Sequence, residues 1–210
     1  MRTLFVILSV GLLLVGCSRR EAPRDALRAE EYTVVSVWID SVYTERWWRH
    51  RQPPVQLALI GDSTILPVPA LEPFQEWPPM IPFDSSTIET YSDVFAQFKR
   101  ALPGLDWDSI RSDFDSVNHH RYGIDSSQLK LSLPHKLVSN WREVRTNRDL
   151  WSASNGSIRF SRVGLNRTRD LGLLFVRHWE VEHGGEEMYN VIVRVNGKWQ
   201  IKYALVAFTM

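Results

Sequence analysis

The last quarter of the chain constrains the fold most, because Asn196-Gly197 stands there between two runs of alternating apolar residues. An Asn-Gly pair readily takes the two positive-φ positions of a tight hairpin turn, whose twist matches that of paired strands. Tyr189, Val191, Val193 and Val195 recur at every second position before it, and Trp199, Ile201, Tyr203 and Leu205 do so after it. Period two puts each set on one face of a strand. Residues 158–163, 171–181, 188–195 and 199–208 all read as strand-like runs, with His183-Gly184-Gly185-Glu186 turning the middle pair. Consecutive strands tend to be neighbours, so an antiparallel meander is expected.

The residues before it read as helices and short strands. From 26 to about 46, Val34, Val35, Trp38, Ile39 and Val42 draw one apolar face. Trp47-Trp48-Arg49-His50-Arg51 then ends the helix, with tryptophans inward and cations out in water where the helix dipole favours them. The same cluster also suits a membrane surface or a stacked base. Pro53-Pro54 stops the helix, and 55–60 reads as a buried strand running into Gly61-Asp62-Ser63-Thr64. Residues 65–82 hold Pro67, Pro69, Pro73, Pro78, Pro79 and Pro82, which exclude helix and imply a long surface excursion. Ser86 and Glu89 form a capping box for a helix carrying Ile88, Tyr91, Phe95, Phe98 and Leu102. A second helix is expected over 106–117, with Trp107, Ile110, Phe114 and Val117 inward. Leu129, Leu131 and Leu133 alternate like a short strand, and Leu137-Val138 suggests another. The expected class is α+β: N-terminal helices packed on a C-terminal antiparallel β-meander.

The beginning of the chain speaks to location. Arg2 precedes an apolar run over 3–15, which Gly16-Cys17 closes. A helix needs about 20 apolar residues to cross a bilayer core. This run is shorter and ends at Arg19-Arg20, so it reads as a secretion signal. Leu14-Val15-Gly16-Cys17 resembles the lipobox of bacterial lipoproteins. That resemblance implies a signal peptide over 1–16, a diacylglyceryl group on the Cys17 sulfur, an acylated amino group and a lipidated tether over 17–25. A single domain over 26–210 follows. Ser18, where an Asp often retains such proteins at the inner membrane, implies an outer-membrane anchor facing the periplasm in a Gram-negative cell. Cys17 is the single cysteine, so no intramolecular disulfide forms.

Lysine and arginine number 25 against 24 aspartates and glutamates, which gives no electrostatic argument for binding nucleic acid. Nine tryptophans and nine phenylalanines argue for a packed domain rather than disorder.

Candidate chemistry is sparse. A strand running into Gly61-Asp62-Ser63 resembles the first block of the GDS-type esterases and lipases, which implies Ser63 as nucleophile. The Gly-x-Asn-Asp and Asp-x-x-His blocks of that family are missing, and a serine lacking a base is weak. Asp and Ser are also ordinary turn residues after a strand. His178, Glu180 and Glu182 alternate and suit a divalent cation, yet the same alternation expects a solvated outer face with Trp179 and Val181 inward. His119-His120 point apart and read as exposed. Arg162 and Asn166 flank Gly164 and suit an anionic ligand, or equally the carbonyls of a turn. No Walker loop, dinucleotide fingerprint or zinc spacing occurs, so no cofactor is implied.

The segment Ser161-Arg162-Val163-Gly164-Leu165-Asn166, with the later Gly-Gly turn and Asn-Gly-Lys-Trp, resembles a family of uncharacterised bacterial secreted and lipoprotein domains. That likeness spans roughly 85–208, with Leu165 where an aromatic is usual, and implies no activity. Helices before a terminal meander are also similar to NTF2-like domains. The expectation is a non-catalytic envelope lipoprotein that binds a small ligand or an envelope protein and touches lipid through Cys17. The alternative is a serine ester hydrolase using Ser63.

Overall fold

Leu173, Phe175, Val176 and Val191 are each shut off from solvent, so the two long strands that carry them have apolar neighbours on both faces. The computed structural model that reveals this describes residues 26–43, 55–67, 91–139, 144, 146–154, 156–180 and 184–209. The elements are α1 (Ala29–Ser41), β1 (Ala58–Gly61), α2 (Tyr91–Ala101), α3 (Trp107–Val117), β2 (His135–Val138), α4 (Arg148–Ser154), β3 (Gly156–Phe160), β4 (Gly164–Leu165), β5 (Leu171–Glu180), β6 (Gly184–Val195) and β7 (Lys198–Thr209). Seven strands form one sheet in the order β2-β1-β3-β5-β6-β7, with β4 also on β5.

The meander over β5, β6 and β7 is antiparallel, as its alternation requires. Asn196 and Gly197 take φ of 51° and 78° at its last turn. The rest of the sheet differs from that expectation. β1 runs parallel to both β2 and β3, so the sheet is mixed. Strand β3 ends at Phe160, short of Val163, because the next residues turn away to bind helices.

One apolar cluster lies between α1 and a sheet face bearing Ala58, Ile60, Ile158, Leu174, Val176 and Ile192. A second lies on the opposite face, where Phe95, Phe98, Trp107, Ile110 and Phe114 meet Leu173, Phe175, Tyr189 and Val191. Helices therefore cover both faces. The period-two pattern of β7 also conceals a break. Ile192 pairs with Ile201 while Val191 pairs with Tyr203, so Lys202 is an extra residue. That bulge sends Trp199 and Ile201 to the α1 side and Tyr203 and Leu205 to the other.

Leu129, Leu131 and Leu133 form no strand. A single 3-10 turn over Ser126–Gln128 precedes them. The segment bends at Ser132 and Leu133, and its backbone bonds to α1 side chains. The Asp125 amide donates to Tyr32 Oη, the Lys130 amide to Ser36 Oγ and the Ser132 amide to Asp40 Oδ1, each at 2.9 Å. Tyr32, Ser36 and Asp40 are four apart and share one face of the helix. The strap thus runs along α1 while its leucines pack on the core. The lipobox residues, the Trp47–Arg51 cluster, the capping box and most of the proline-rich stretch lie outside the described residues.

Candidate functional site

The densest polar constellation forms where α1, α3 and the Ser161–Asn166 segment meet. Its centre is Glu31, on the first turn of α1 and 0% exposed. A buried carboxylate is costly unless several donors satisfy it. Here five hydrogen bonds reach it. Arg162 donates from Nε at 3.0 Å and from Nη2 at 2.7 Å, a bidentate fork. The Val163 amide donates at 3.1 Å. Arg28 donates its amide at 2.8 Å and Nε at 3.0 Å. Burial raises the Glu31 pKa, but the bonds from Arg162 and the charge of Arg28 outweigh it and hold the carboxyl below its ordinary range. Burial likewise works against the Arg162 charge, and Glu31 outweighs it.

Neighbouring groups extend the constellation. Arg28 Nη2 donates to Asp113 on α3 at 3.1 Å and to the Val163 carbonyl at 2.9 Å. Asp113 also accepts the Leu165 amide at 2.7 Å. Asn118 clamps both backbone groups of Arg162, accepting its amide at 2.8 Å and donating to its carbonyl at 3.1 Å. The guanidinium of Arg162 lies 4.6 Å from the Tyr122 ring centroid, a cation–π contact. Gly164 presses on α3: a Cβ there would sit 2.6 Å from the Cα of Phe114, so only glycine fits. The Ser161 hydroxyl accepts the Phe175 amide at 3.0 Å and donates to the Arg162 carbonyl at 2.8 Å. Every residue of Ser161-Arg162-Val163-Gly164-Leu165 thus has a partner in a helix or strand.

Asn166, the other candidate anchor, closes the β4–β5 turn. Its Oδ1 accepts the Asp170 and Leu171 amides, each at 3.1 Å. Its Nδ2 donates to Thr168 Oγ1 at 2.8 Å and to Asp170 Oδ1 at 2.7 Å. Hydrogen bonds from Thr168 and then Asn166 hold the Asp170 carboxyl below its ordinary range. Arg162 and Asn166 therefore belong to one continuous segment, but their polar atoms face different partners. The chemistry available here is the fixing of a frame: opposite charges, amides and an aromatic face satisfy one another.

Ser63 follows β1 in a half-buried stretch, bridged to Gly123. The Asp62 amide donates to the Val138 carbonyl at 3.1 Å, and the Ile124 amide to the Asp62 carbonyl at 2.8 Å. No hydrogen bond joins Ser63 to a histidine among the described residues. His119 and His120 are exposed, as expected, but they do not point apart: their rings meet edge to face at 4.3 Å.

The chain matches no family model, no curated protein and no solved structure.

The expected outer-face position of His178 needs correction. His178 is 6% exposed and shares the sheet face of Leu174 and Val176, with Ile158 and Glu186 as its register neighbours. Burial pushes its pKa down to about 4. Alternation was a poor guide there because both faces of β5 are covered. The Glu180 side chain and Glu182 lie outside the described residues. Among the described residues no group of three or more His, Cys, Asp or Glu is placed to hold a metal ion. Cys17 also lies outside them.

Sequence reasoning missed Glu31. Its signal was present: Glu31 falls on the stripe of Val34, Val35 and Trp38, where a charge demands a buried partner.

Proposed function

We propose that this chain is a lipid-anchored protein of the bacterial envelope whose domain acts by binding, without catalysing a reaction. The observation that carries this reading is Leu14-Val15-Gly16-Cys17 at the end of the short apolar run, before the polar Ser18–Asp25 segment. Acyl chains on one cysteine hold a protein stably once two or more are present, at roughly 0.8 kcal/mol per buried CH₂. Among the described residues no helix is long and apolar enough to cross a membrane. The proposed address is the outer membrane, facing the periplasm, in a Gram-negative cell.

The proposed partner is a small ligand or another envelope protein, met by exposed side chains. Arg162, whose fork Glu31 already occupies, is a poor first contact. The NTF2-like kinship is part of the same proposal and rests on the order of helices before a meander. Intact-mass measurement of the protein from its native membrane tests the anchor. The expected mass is that of a chain starting at Cys17 plus a diacylglyceryl group and an amide-linked acyl chain. A bare polypeptide, or one starting elsewhere, overturns the reading. Hydrolysis of simple esters that vanishes in Ser63→Ala would favour the hydrolase instead.

A further inference from the structure

We infer that the β4–β5 turn and the β6–β7 hairpin form the membrane-facing end of the domain and rest on anionic lipid headgroups; this builds on the lipid-anchor reading. Three observations carry it.

The first is where the chain enters the domain. From Cys17 to Ala26 a fully extended backbone spans at most about 30 Å. The described chain begins at Ala26 and enters α1 at Ala29. The start of α1 sits beside the turn and the hairpin, since Glu30 lies 3.8 Å from Arg169 Nη1 and 3.6 Å from Arg194 Nη1. The Arg194 amide donates to the Asp170 carbonyl at 2.7 Å, which joins turn to hairpin. The tether therefore leaves the domain at this end.

The second is charge. Arg167, Arg169, Arg194 and Lys198 are exposed there, against Glu30 and Asp170. At the far end of the same strands Glu186 and Glu187 stand against Arg159 and Arg177, so the described charges there balance. Strands this long separate the two ends by about 35 Å. Along the long strands the described excess of cations therefore lies at the end nearest the start of α1. The tether sequence itself carries Arg19, Arg20 and Arg24 against Glu21 and Asp25.

The third is the arithmetic of tethering. Each cation near an anionic surface raises affinity about fivefold, too little alone to hold a free domain. An anchored domain needs no more, because the tether makes docking intramolecular at high effective concentration.

The test uses the lipidated chain in vesicles of phosphatidylcholine, with and without phosphatidylglycerol, doped with a headgroup nitroxide. Cys17 is the single cysteine and its sulfur is acylated in that form, so an introduced cysteine is the one free thiol. Gln200→Cys places a fluorophore near the hairpin and Gln56→Cys places one at the far end of β1; both positions are exposed. The inference expects the Gln200 label to be quenched more strongly than the Gln56 label in anionic vesicles, with the difference lost at high salt. Arg167→Gln and Lys198→Gln should each lower the docking equilibrium constant about fivefold. Equal quenching at both sites on a chain whose mass proves acylation overturns this inference alone, as does a preference that survives both substitutions. A bare Cys17 overturns the inference and the anchor together.

Discussion

The two layers that cover the sheet are held by different physics. On one face α1 is fixed by a buried carboxylate with five donors and by a strap bonded at Tyr32, Ser36 and Asp40. On the other, α2 and α3 are fixed by aromatic shape. Phe98 stacks on Trp107 at 5.2 Å with an interplanar angle of 8°, Phe95 meets Trp107 edge-on at 6.5 Å, and Phe114 leans on Tyr189 at 6.3 Å. Directional bonds set the register of α1, because a slip of one residue would strand Glu31 away from Arg162 and Val163. Dispersion between rings tolerates small slides, since many weak contacts substitute for one another. The polar layer should therefore fail abruptly and the aromatic layer by degrees.

The largest expected effect comes from breaking the polar layer at its centre. Glu31→Ala takes away the carboxylate that the Arg162 fork and the Val163 amide share. Removing one partner of a buried pair costs about 3–5 kcal/mol. Urea denaturation should show a loss of that order. Removing both charges in Glu31→Leu with Arg162→Met should restore only part of it, because the Val163 amide and the amide and Nε of Arg28 still lose the carboxylate that accepted them. Full recovery in the double variant would mean that the ion pair, and not the wider set of bonds, fixes α1.

The next effect distinguishes the same face by pH. His178 lies on the α1 side of the sheet, beside Ile158 and Glu186, with its pKa lowered from 6.5 to about 4 by burial. The unfolded chain takes up the proton first. Stability is therefore full above pH 6.5 and falls as the pH drops toward 4, by about 3 kcal/mol in all. Glu31, lowered from 4.5, stays ionised over most of that window and contributes its loss only below 4.5. Urea midpoints measured between pH 6.5 and 4.5 should decline in the native chain and stay nearly level in His178→Phe. A decline that persists in the variant would assign the titration to another group.

Gly164→Ala probes the contact between the two layers, where β4 meets α3. Its Cβ would press on the Phe114 backbone, and overpacking of this kind costs about 1–3 kcal/mol. Thermal melts should shift downward accordingly. An unchanged melt would show that α3 is free to slide.

What the sequence revealed follows the same division. The aromatic layer was legible because its residues recur at helical spacing, and 106–117 corresponds closely to α3, with Asp106 capping through its side chain to the Ser109 amide at 3.2 Å. The hairpin was legible from Asn196-Gly197 because two positive φ angles need those residues. The polar layer was not. Glu31 and Arg162 lie far apart in sequence, and nothing in local spacing tells a buried fork from an open anion site. The strap over 129–133 misleads for a related reason: its leucines do alternate, but its hydrogen bonds go to a helix, and pairing partners leave no local mark. Short β1 and β2 likewise carry no sign of being parallel. The position of His178 is not legible from alternation, because neighbouring elements cover both faces of β5.

The smallest expected effect tests the claim that the aromatic layer yields by degrees. Phe98 is fully buried, stacks on Trp107 and meets Tyr203 edge-on at 5.9 Å. Phe98→Leu keeps an apolar group of similar length and forfeits the stacking, worth about 0.5–1.5 kcal/mol beyond burial. Leucine's flexible chain partly refills the space, so the net loss should be about 1 kcal/mol with an unchanged urea slope. That outcome, set beside the far larger loss at Glu31, would establish that shape yields gradually where directional bonds do not. A loss as large as that of Glu31→Ala would reverse the comparison and make the stacked pair, not the buried carboxylate, the feature that sets helix register.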